Sequence, residues 1–252
     1  MKRIFITGAA SGIGLATAKL FHRNGWQVGI TDINSQALKS VAAELDNIWY
    51  RKLDVTDDIA CQHAVKDFAE EGGLDVLFNC AGILQMGRFE DIPAAKHKQI
   101  IDINVTGLIN MSLAAYPHLL ESKSPVVINM SSASAMYGTP HFASYSASKF
   151  AVRALTESLD IEWGRQGIRV TDVMPPFVST PMVTEAEFRA PVIDRMGVNL
   201  DAEDIANAVW QTANQDTGVH NPVGGFFKMM KLGDKLLPAA TTRMLMKFLS
   251  RE

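Results

Sequence analysis

An α/β fold, with a doubly wound parallel sheet covered by helices on both faces, is the architecture this sequence predicts. Three observations lead to it. Short apolar runs alternate with longer helical patterns along most of the chain. The runs are apolar at consecutive positions, as in Val126-Val127-Ile128, which strands buried on both faces require. No linker, low-complexity segment or fixed-period repeat divides the 252 residues, so the alternation is read as one domain, residues 1–252, with right-handed crossovers.

The elements follow in order. Ile4 to Thr7 reads as a strand and Ile13 to Asn24 as a helix. Gln27 to Asp32 is a strand followed by a helix from Ser35 to Leu45, and Ile48 to Asp54 a strand followed by a helix from Asp57 to Glu71. Leu74 to Cys80 is a strand, and one long helical pattern fills Ala94 to Glu121. Val126 to Ser131 is a strand, Ser144 to Arg165 a helix and Ile168 to Met174 a strand. After Pro175 the pattern loosens, with Pro176, Pro181 and Pro191 in a candidate substrate-loop region at about 176–200. A helix near Asp201 to Thr212 and a loop at Asn221-Pro222-Val223-Gly224-Gly225 precede a basic, apolar tail at about 228–252.

Composition narrows the classes. With 47% hydrophobic and 20% charged residues the chain can bury a full core and is not disordered. A formal charge of -3 gives no reason to expect nucleic acid as a partner. Cys61 and Cys80 form no disulfide framework and read as reduced thiols of a cytoplasmic protein. The basic start Met1-Lys2-Arg3 leads into an apolar run too short for a signal peptide. No stretch is long and apolar enough to suggest a membrane span.

Thr7-Gly8-Ala9-Ala10-Ser11-Gly12-Ile13-Gly14 lies between the first strand and the first helix. Glycines there tighten the turn and let the backbone approach a diphosphate closely. The helix that follows presents free N–H groups and a positive dipole end to that anion. Many glycine-rich turns are plain turns; the strand before and the helix after distinguish this one.

The second strand ends at Asp32. A carboxylate at that position can accept hydrogen bonds from the adenosine ribose hydroxyls, and it repels a 2′-phosphate. Asn34 and Ser35 can cap the next helix, which leaves Asp32 for the ribose. No Arg or Lys lies in the glycine loop or just after Asp32, so NAD is expected over NADP.

Tyr145 and Lys149 stand four residues apart, on one face of a helix. A phenol ordinarily titrates near 10, too high for efficient proton exchange at neutral pH. A neighbouring ammonium favours the phenolate and is expected to lower that value, which makes a general acid/base. The same spacing also fits an ordinary amphipathic surface. Ser132 follows an apolar strand, in the zone where open α/β sheets gather ligands, and its hydroxyl could hold a carbonyl oxygen or simply serve a turn.

Together these residues resemble the short-chain dehydrogenase/reductase family in its main, single-domain branch. The resemblance runs from Arg3 to about Thr212 and rests on Thr7-Gly8-x-x-x-Gly12-x-Gly14, Asp54-Val55, Asn79-Cys80-Ala81-Gly82, Asn104, Ser132 and Tyr145-x-x-x-Lys149. It implies a Rossmann-type sheet of about seven strands in the order 3-2-1-4-5-6-7. It also implies an NAD(P)-dependent oxidoreductase that interconverts a secondary alcohol and a ketone or aldehyde by hydride transfer. Tyr145 would be the acid/base, Ser132 would polarise the carbonyl, and Lys149 would bind the nicotinamide ribose and lower the Tyr145 pKa. Asn104 would hold a water linking Lys149 to solvent. Gly8, Ser11, Gly12, Ile13 and Gly14 would cradle the cofactor, with Ile13 against the pyrophosphate. Asp54 and Val55 would contact the adenine, while Asn79, Ala81 and Gly82 would shape the cofactor floor. Val178 and Thr180 would hold the nicotinamide carboxamide. Family habit implies a homodimer or homotetramer paired through the two long helices.

The chain departs from the family pattern in three places. Pro175-Pro176 replaces the usual Pro-Gly, which bears on the loop holding Val178 and Thr180, because proline fixes φ and lacks an N–H. Cys80 replaces a common asparagine and is read as packing. Pro222-Val223-Gly224-Gly225 replaces a Val-Asp-Gly-Gly segment, and a tail follows in which Leu236, Leu237, Met244, Leu245, Met246, Phe248 and Leu249 interleave with Lys235, Arg243, Lys247 and Arg251. That tail reads as an amphipathic helix packed on its own domain or a partner subunit. A lid over an apolar pocket and a peripheral membrane contact are the alternatives.

The loops Gly138 to Phe142 and Met182 to Met196 carry Phe142, Met182, Phe188, Val192 and Met196, so an apolar small-molecule substrate is expected. The rival reading is a non-catalytic NAD-binding regulatory protein, which would have no use for the Asn104, Ser132, Tyr145 and Lys149 set. Epimerisation or dehydration on the same cofactor would need a separate substrate domain, for which the chain has little room.

Overall fold

The computed structural model describes residues 1–225, Phe227 and 239–250. Leu236, Leu237, Lys235 and Arg251 of the tail lie outside the described residues. The strands are β1 (Arg3–Thr7), β2 (Gln27–Asp32), β3 (Trp49–Lys52), β4 (Val76–Asn79), β5 (Val126–Met130), β6 (Arg169–Met174), β7 (Val178–Ser179), β8 (Leu200–Asp201) and β9 (His220–Pro222). Seven form one sheet in the order β3-β2-β1-β4-β5-β6-β9, every pair parallel, while β7 and β8 pair separately. The expected spatial order is the one found, with β9 as the seventh strand.

Strand β9 falls where the sequence reads as a loop. Its three residues, His220-Asn221-Pro222, offer no apolar alternation. Side-chain and backbone bonds recruit it instead: Asn221 Nδ2 donates to Thr171 Oγ1 at 2.7 Å and to the Asp172 carbonyl at 3.1 Å, and the Asp172 N–H donates to the Val219 carbonyl at 2.8 Å.

The helices are α1 (Gly12–Arg23), α2 (Ser35–Glu44), α3 (Asp58–Glu70), α4 (Ala94–Ile101), α5 (Gly107–Leu119), α6 (Ala143–Gly164), α7 (Pro181–Thr184), α8 (Pro191–Met196), α9 (Ala202–Asn214) and α10 (Ala239–Leu249). Local chemistry starts several of them. Asn34 Oδ1 accepts from the Ala37 N–H at 3.1 Å to cap α2. Asp201 and Asp204 form a reciprocal capping box on α9. Proline opens both α7 and α8, where its missing N–H costs nothing. The pattern from Ala94 to Glu121 is not one regular helix: a π segment at Asp102–Thr106 separates α4 from α5, with the Gly107 N–H bonded to the Asp102 carbonyl five residues back. Its consequence is at Asn104.

Successive strand residues point to opposite faces of the sheet, and both faces are covered, so both must be apolar. Ile4, Ile6, Phe78 and Ile128 pack on one side against Ala18, Phe21, Leu38 and Val209 from α1, α2 and α9. Phe5, Leu77 and Val127 pack on the other against Val65, Phe68, Met111 and Ala115 from α3 and α5. The Phe21 ring meets Trp26 at 4.9 Å and Trp210 at 4.8 Å, both edge-on, locking α1 to α9. The strand order reverses between β1 and β4, and the crevice beyond the carboxyl ends of these strands is the natural place for a ligand.

Candidate active site

The glycine loop is fixed to the neighbouring strand end. Thr7 Oγ1 accepts from the Cys80 N–H at 3.1 Å and the Ala81 N–H at 3.0 Å. Gly8 sits at φ +66, and a Cβ there would lie 2.8 Å from Ala81 Cα. At Gly14 a Cβ would collide with the Gly8 carbonyl. Ser11 is the N-cap of α1 but its side chain makes no capping bond, so the first N–H groups of the helix are left to face the crevice. Asp32 Oδ2 accepts from the Ala10 N–H at 3.1 Å and Oδ1 from the Asn34 N–H at 2.9 Å. The carboxylate is therefore held at the loop rather than capping α2.

The crevice has a volume of about 560 Å³. Its wall includes Gly8, Ser11, Gly12, Ile13, Gly14, Asp32, Gly82, Ser132, Tyr145, Lys149, Val178 and Thr180 of the expected set. The Pro175-Pro176 step does not displace Val178 and Thr180: Pro175 O accepts from the Ala133 N–H at 2.9 Å, and Thr180 Cγ2 would stand 3.5 Å from a Cβ on Gly12. Asp54, Val55, Asn79, Ala81 and Asn104 are not in the wall. Asp54 Oδ1 accepts from the Thr56 N–H at 2.9 Å and hydroxyl at 2.8 Å, and Val55 packs under Gly107. Asn79 is turned to the far face of the sheet, where Nδ2 donates to Asn129 Oδ1 at 3.0 Å and Ser112 Oγ at 3.2 Å.

Tyr145 and Lys149 come from the first turns of α6, and Ser132 from the end of β5. The Lys149 Nζ lies 5.5 Å from the centroid of the Tyr145 ring and donates to the Met130 carbonyl at 2.7 Å. Ser132 Oγ accepts from the Ser134 N–H at 3.1 Å, which fixes its rotamer. Burial pushes the Tyr145 phenol up to about 12, with a hydrogen bond to Ser132 pulling the other way. This corrects the expectation of a lowered value: desolvation outweighs the stabilising contacts and keeps the phenol protonated. Burial also holds Lys149 down at about 8.

Asn104 supports this cluster from behind. Its Oδ1 accepts from the Ile83 N–H at 2.8 Å, while Nδ2 donates to the Ile83 carbonyl at 3.0 Å and to Ser148 Oγ at 3.1 Å. From the π segment Asn104 thus bonds the Ile83 backbone and Ser148 of α6 at once.

Beyond Ser132 the crevice is apolar, walled by Leu84, Met136, Phe142, Phe177, Val183, Val192 and Met196. Phe188 of the expected loop residues instead lies against His141, at 5.4 Å between rings. Phe227, Thr241, Thr242, Leu245 and Met246 close the far side, so α10 packs on its own domain and covers the pocket. Phe227 and the two threonines were missed by the sequence reading. The i, i+4 pairing of Thr241 with Leu245 and Thr242 with Met246 was the available signal. Ser131, buried and in the wall, was also passed over.

Residues 2–189 match the family profile described as short chain dehydrogenase. The chain is 34% identical over 239 residues to a 2,5-dichloro-2,5-cyclohexadiene-1,4-diol dehydrogenase of Sphingobium indicum, covering 89% of this chain and 95% of the relative. It is 38% identical over 183 residues to a 3-alpha-(or 20-beta)-hydroxysteroid dehydrogenase of Mycobacterium tuberculosis, covering 72% of this chain and 70% of the relative. A solved structure described as a short chain dehydrogenase/reductase family protein superposes with a TM-score of 0.77 at 28% identity, over 89% of this chain and 97% of that one. The chain belongs to the short-chain dehydrogenase/reductase family, and it is an oxidoreductase of the NAD(P)-dependent class acting on CH–OH donors.

The residues present fit such a dinucleotide. Gly8, Gly12 and Gly14 bring backbone to the crevice wall, the α1 N-terminus offers N–H donors to a diphosphate, and Ser131 Oγ is a buried polar atom in the wall with no protein partner.

Proposed function

We propose that this chain interconverts a neutral, apolar secondary alcohol and its ketone, with NAD as preferred cofactor. The observation that carries the reading is the lining of the crevice: a half-buried phenol close to Ser132, amid apolar side chains, with Asp32 and Lys149 the only charged groups among the described lining residues. A carboxylate or phosphate entering the apolar half would lose its hydration without a cation to replace it, at a cost of several kcal/mol. Two relatives named for a chlorinated cyclohexadiene diol and a hydroxysteroid support the same chemical class.

The dinucleotide, when bound, supplies or accepts the hydride. In the reducing direction Tyr145 donates its phenolic proton to the substrate oxygen, and Ser132 donates a hydrogen bond that holds the oxygen there. Lys149, as the ammonium, binds the nicotinamide ribose and stabilises the phenolate left behind. Asn104 holds a water on the path that returns a proton towards Lys149. Val178 and Thr180 would take the carboxamide, and Asp54 and Val55, outside the crevice wall, would meet the adenine at its edge. Gly82 forms part of the floor, with Ala81 behind it through its N–H bond to Thr7 Oγ1 and Asn79 through its side-chain bonds to Asn129 and Ser112. The Asp32 carboxylate, followed by the exposed Ile33 rather than a cation, favours a free ribose over a 2′-phosphate. Exposed Leu113 on α5 and Ile161 on α6 support a homodimer or homotetramer, and the free thiols Cys61 and Cys80 suit a reducing cytoplasm.

The test is a panel of neutral and carboxylated alcohols and ketones, followed by absorbance of the reduced cofactor with NAD and NADP in parallel. Neutral apolar members should give the highest kcat/KM. Preferred turnover of the carboxylated set would overturn the substrate reading.

A further inference from the structure

We propose that the outer face of α10 docks on anionic lipid bilayers, which brings the apolar crevice lined by its inner face close to the membrane. The helix has two differently used sides. Thr242, Leu245 and Met246 line the crevice. Met244 and Phe248, one turn apart, face outward at 72% and 60% exposure and form an exposed apolar stripe. Arg243 and Lys247 form the adjacent exposed row. An apolar stripe flanked by a basic row is the pattern of a helix that lies in a headgroup layer.

Charge identifies the occupant. Residues 228–252 carry six Lys/Arg against Asp234 and Glu252, a net +4. The whole chain is -3, so residues 1–227 carry -7. Positive net charge is therefore concentrated in this segment while the rest of the chain is net negative, an asymmetry that orients the C-terminal segment towards an anionic surface. A second copy fits less well, because a two-fold contact through this face would set the Arg243 and Lys247 row against itself. Glu185 and Glu187 are exposed on the neighbouring loop, so the contact is made by α10 and not by the whole crevice rim. The helix is presented rigidly: Arg195 Nη1 donates to the carbonyls of Phe248 at 3.2 Å and Leu249 at 2.8 Å, pinning its last turn to α8. Docking stands on these observations alone; that a lipophilic substrate then enters from the bilayer rests on the proposed function.

The experiment is flotation of the full chain with phosphatidylcholine vesicles, with and without phosphatidylserine. Binding to the anionic vesicles is expected, falling as salt rises. Arg243→Gln with Lys247→Gln should weaken that partitioning by about thirtyfold. Met244→Ser with Phe248→Ser should also weaken it, whereas Ile59→Ser, at an exposed position on α3, should not. Circular dichroism and melting temperature report that each variant is folded. Absence of binding at low salt, or equal binding by the α10 variants, would overturn the proposal. So would an α10 double variant that abolishes self-association in sedimentation velocity while vesicle binding is nil throughout. No readout uses turnover, so these failures are separate from a failure of the substrate reading.

Discussion

Lys149 donates from Nζ to the Met130 carbonyl oxygen at 2.7 Å, joining α6 to the end of β5 inside the crevice. Burial lowers its pKa from the ordinary 10.5 to about 8. Between those values the unfolded chain binds a proton that the folded chain does not, so stability rises with pH. Below about 8 both states are protonated and the full cost of burying the ammonium is present. Melting of the cofactor-free protein should therefore show the wild type gaining on Lys149→Met as pH rises through this window. A constant difference between the two would remove the buried ammonium as its cause.

Tyr145→Phe keeps the ring and deletes the proton. Turnover should fall by about 10²–10⁴-fold, the usual contribution of a positioned general acid, with cofactor affinity by fluorescence little changed. With the wild-type phenol at about 12, reduction should be nearly independent of pH across the neutral range. Oxidation needs the phenolate and should rise by about tenfold per pH unit there. Undiminished turnover in the variant would remove Tyr145 as acid/base.

Asp32→Asn removes the charge and keeps one of the two acceptor oxygens, so the side chain can still accept from either Ala10 or Asn34 but not from both. Removing one negative charge near the 2′ position should raise the NADP/NAD ratio of kcat/KM by about tenfold, the low end of a Coulomb interaction at contact distance. An unchanged ratio would mean that discrimination lies elsewhere.

The sheet and the gathering of the expected site residues in one crevice were legible because each leaves a short-range signature. Parallel strands buried on both faces must be apolar throughout, and Gly8, Gly14, Tyr145 and Lys149 sit at fixed spacings around one loop and one helix turn. What the sequence concealed depends on distant contacts. Strand β9 is held by Asn221 reaching Thr171 and Asp172, half a hundred residues away in the chain, and has no periodicity of its own. The π segment at Asp102–Thr106 adds a residue to a turn without altering the apolar pattern that makes Ala94 to Glu121 look continuous. The rise in the Tyr145 pKa comes from the apolar enclosure, which includes residues from α8 and α10, so the Lys149 spacing alone gave the wrong sign.

His220 clamps β9 to the rest of the fold, and its charge should be visible in stability. Nδ1 meets Asp172 Oδ2 and Nε2 meets Glu157 Oε1, each at 2.8 Å, with Arg153 also on Glu157 at 3.0 Å. The hydrogen bond with the wholly buried Asp172 is the main cause of a raised His220 pKa, and the bond to His220 is the main cause of a lowered Glu157 pKa. For His220, whose folded pKa lies above the ordinary 6.5, the stabilisation is complete below 6.5 and is lost as pH rises through the folded value. For Glu157 it is present above the ordinary 4.5 and lost as pH falls through the folded value. Both contributions coexist between 4.5 and 6.5. His220→Ala removes the imidazolium and leaves the Asp172 carboxylate buried beside no cation, a change that costs about 3–5 kcal/mol when a buried pair is broken. Urea unfolding should show that loss most fully below pH 6.5 and a smaller one as the histidine deprotonates. A loss that does not vary with pH would mean that His220 acts as a neutral hydrogen-bonding spacer, not as a charge.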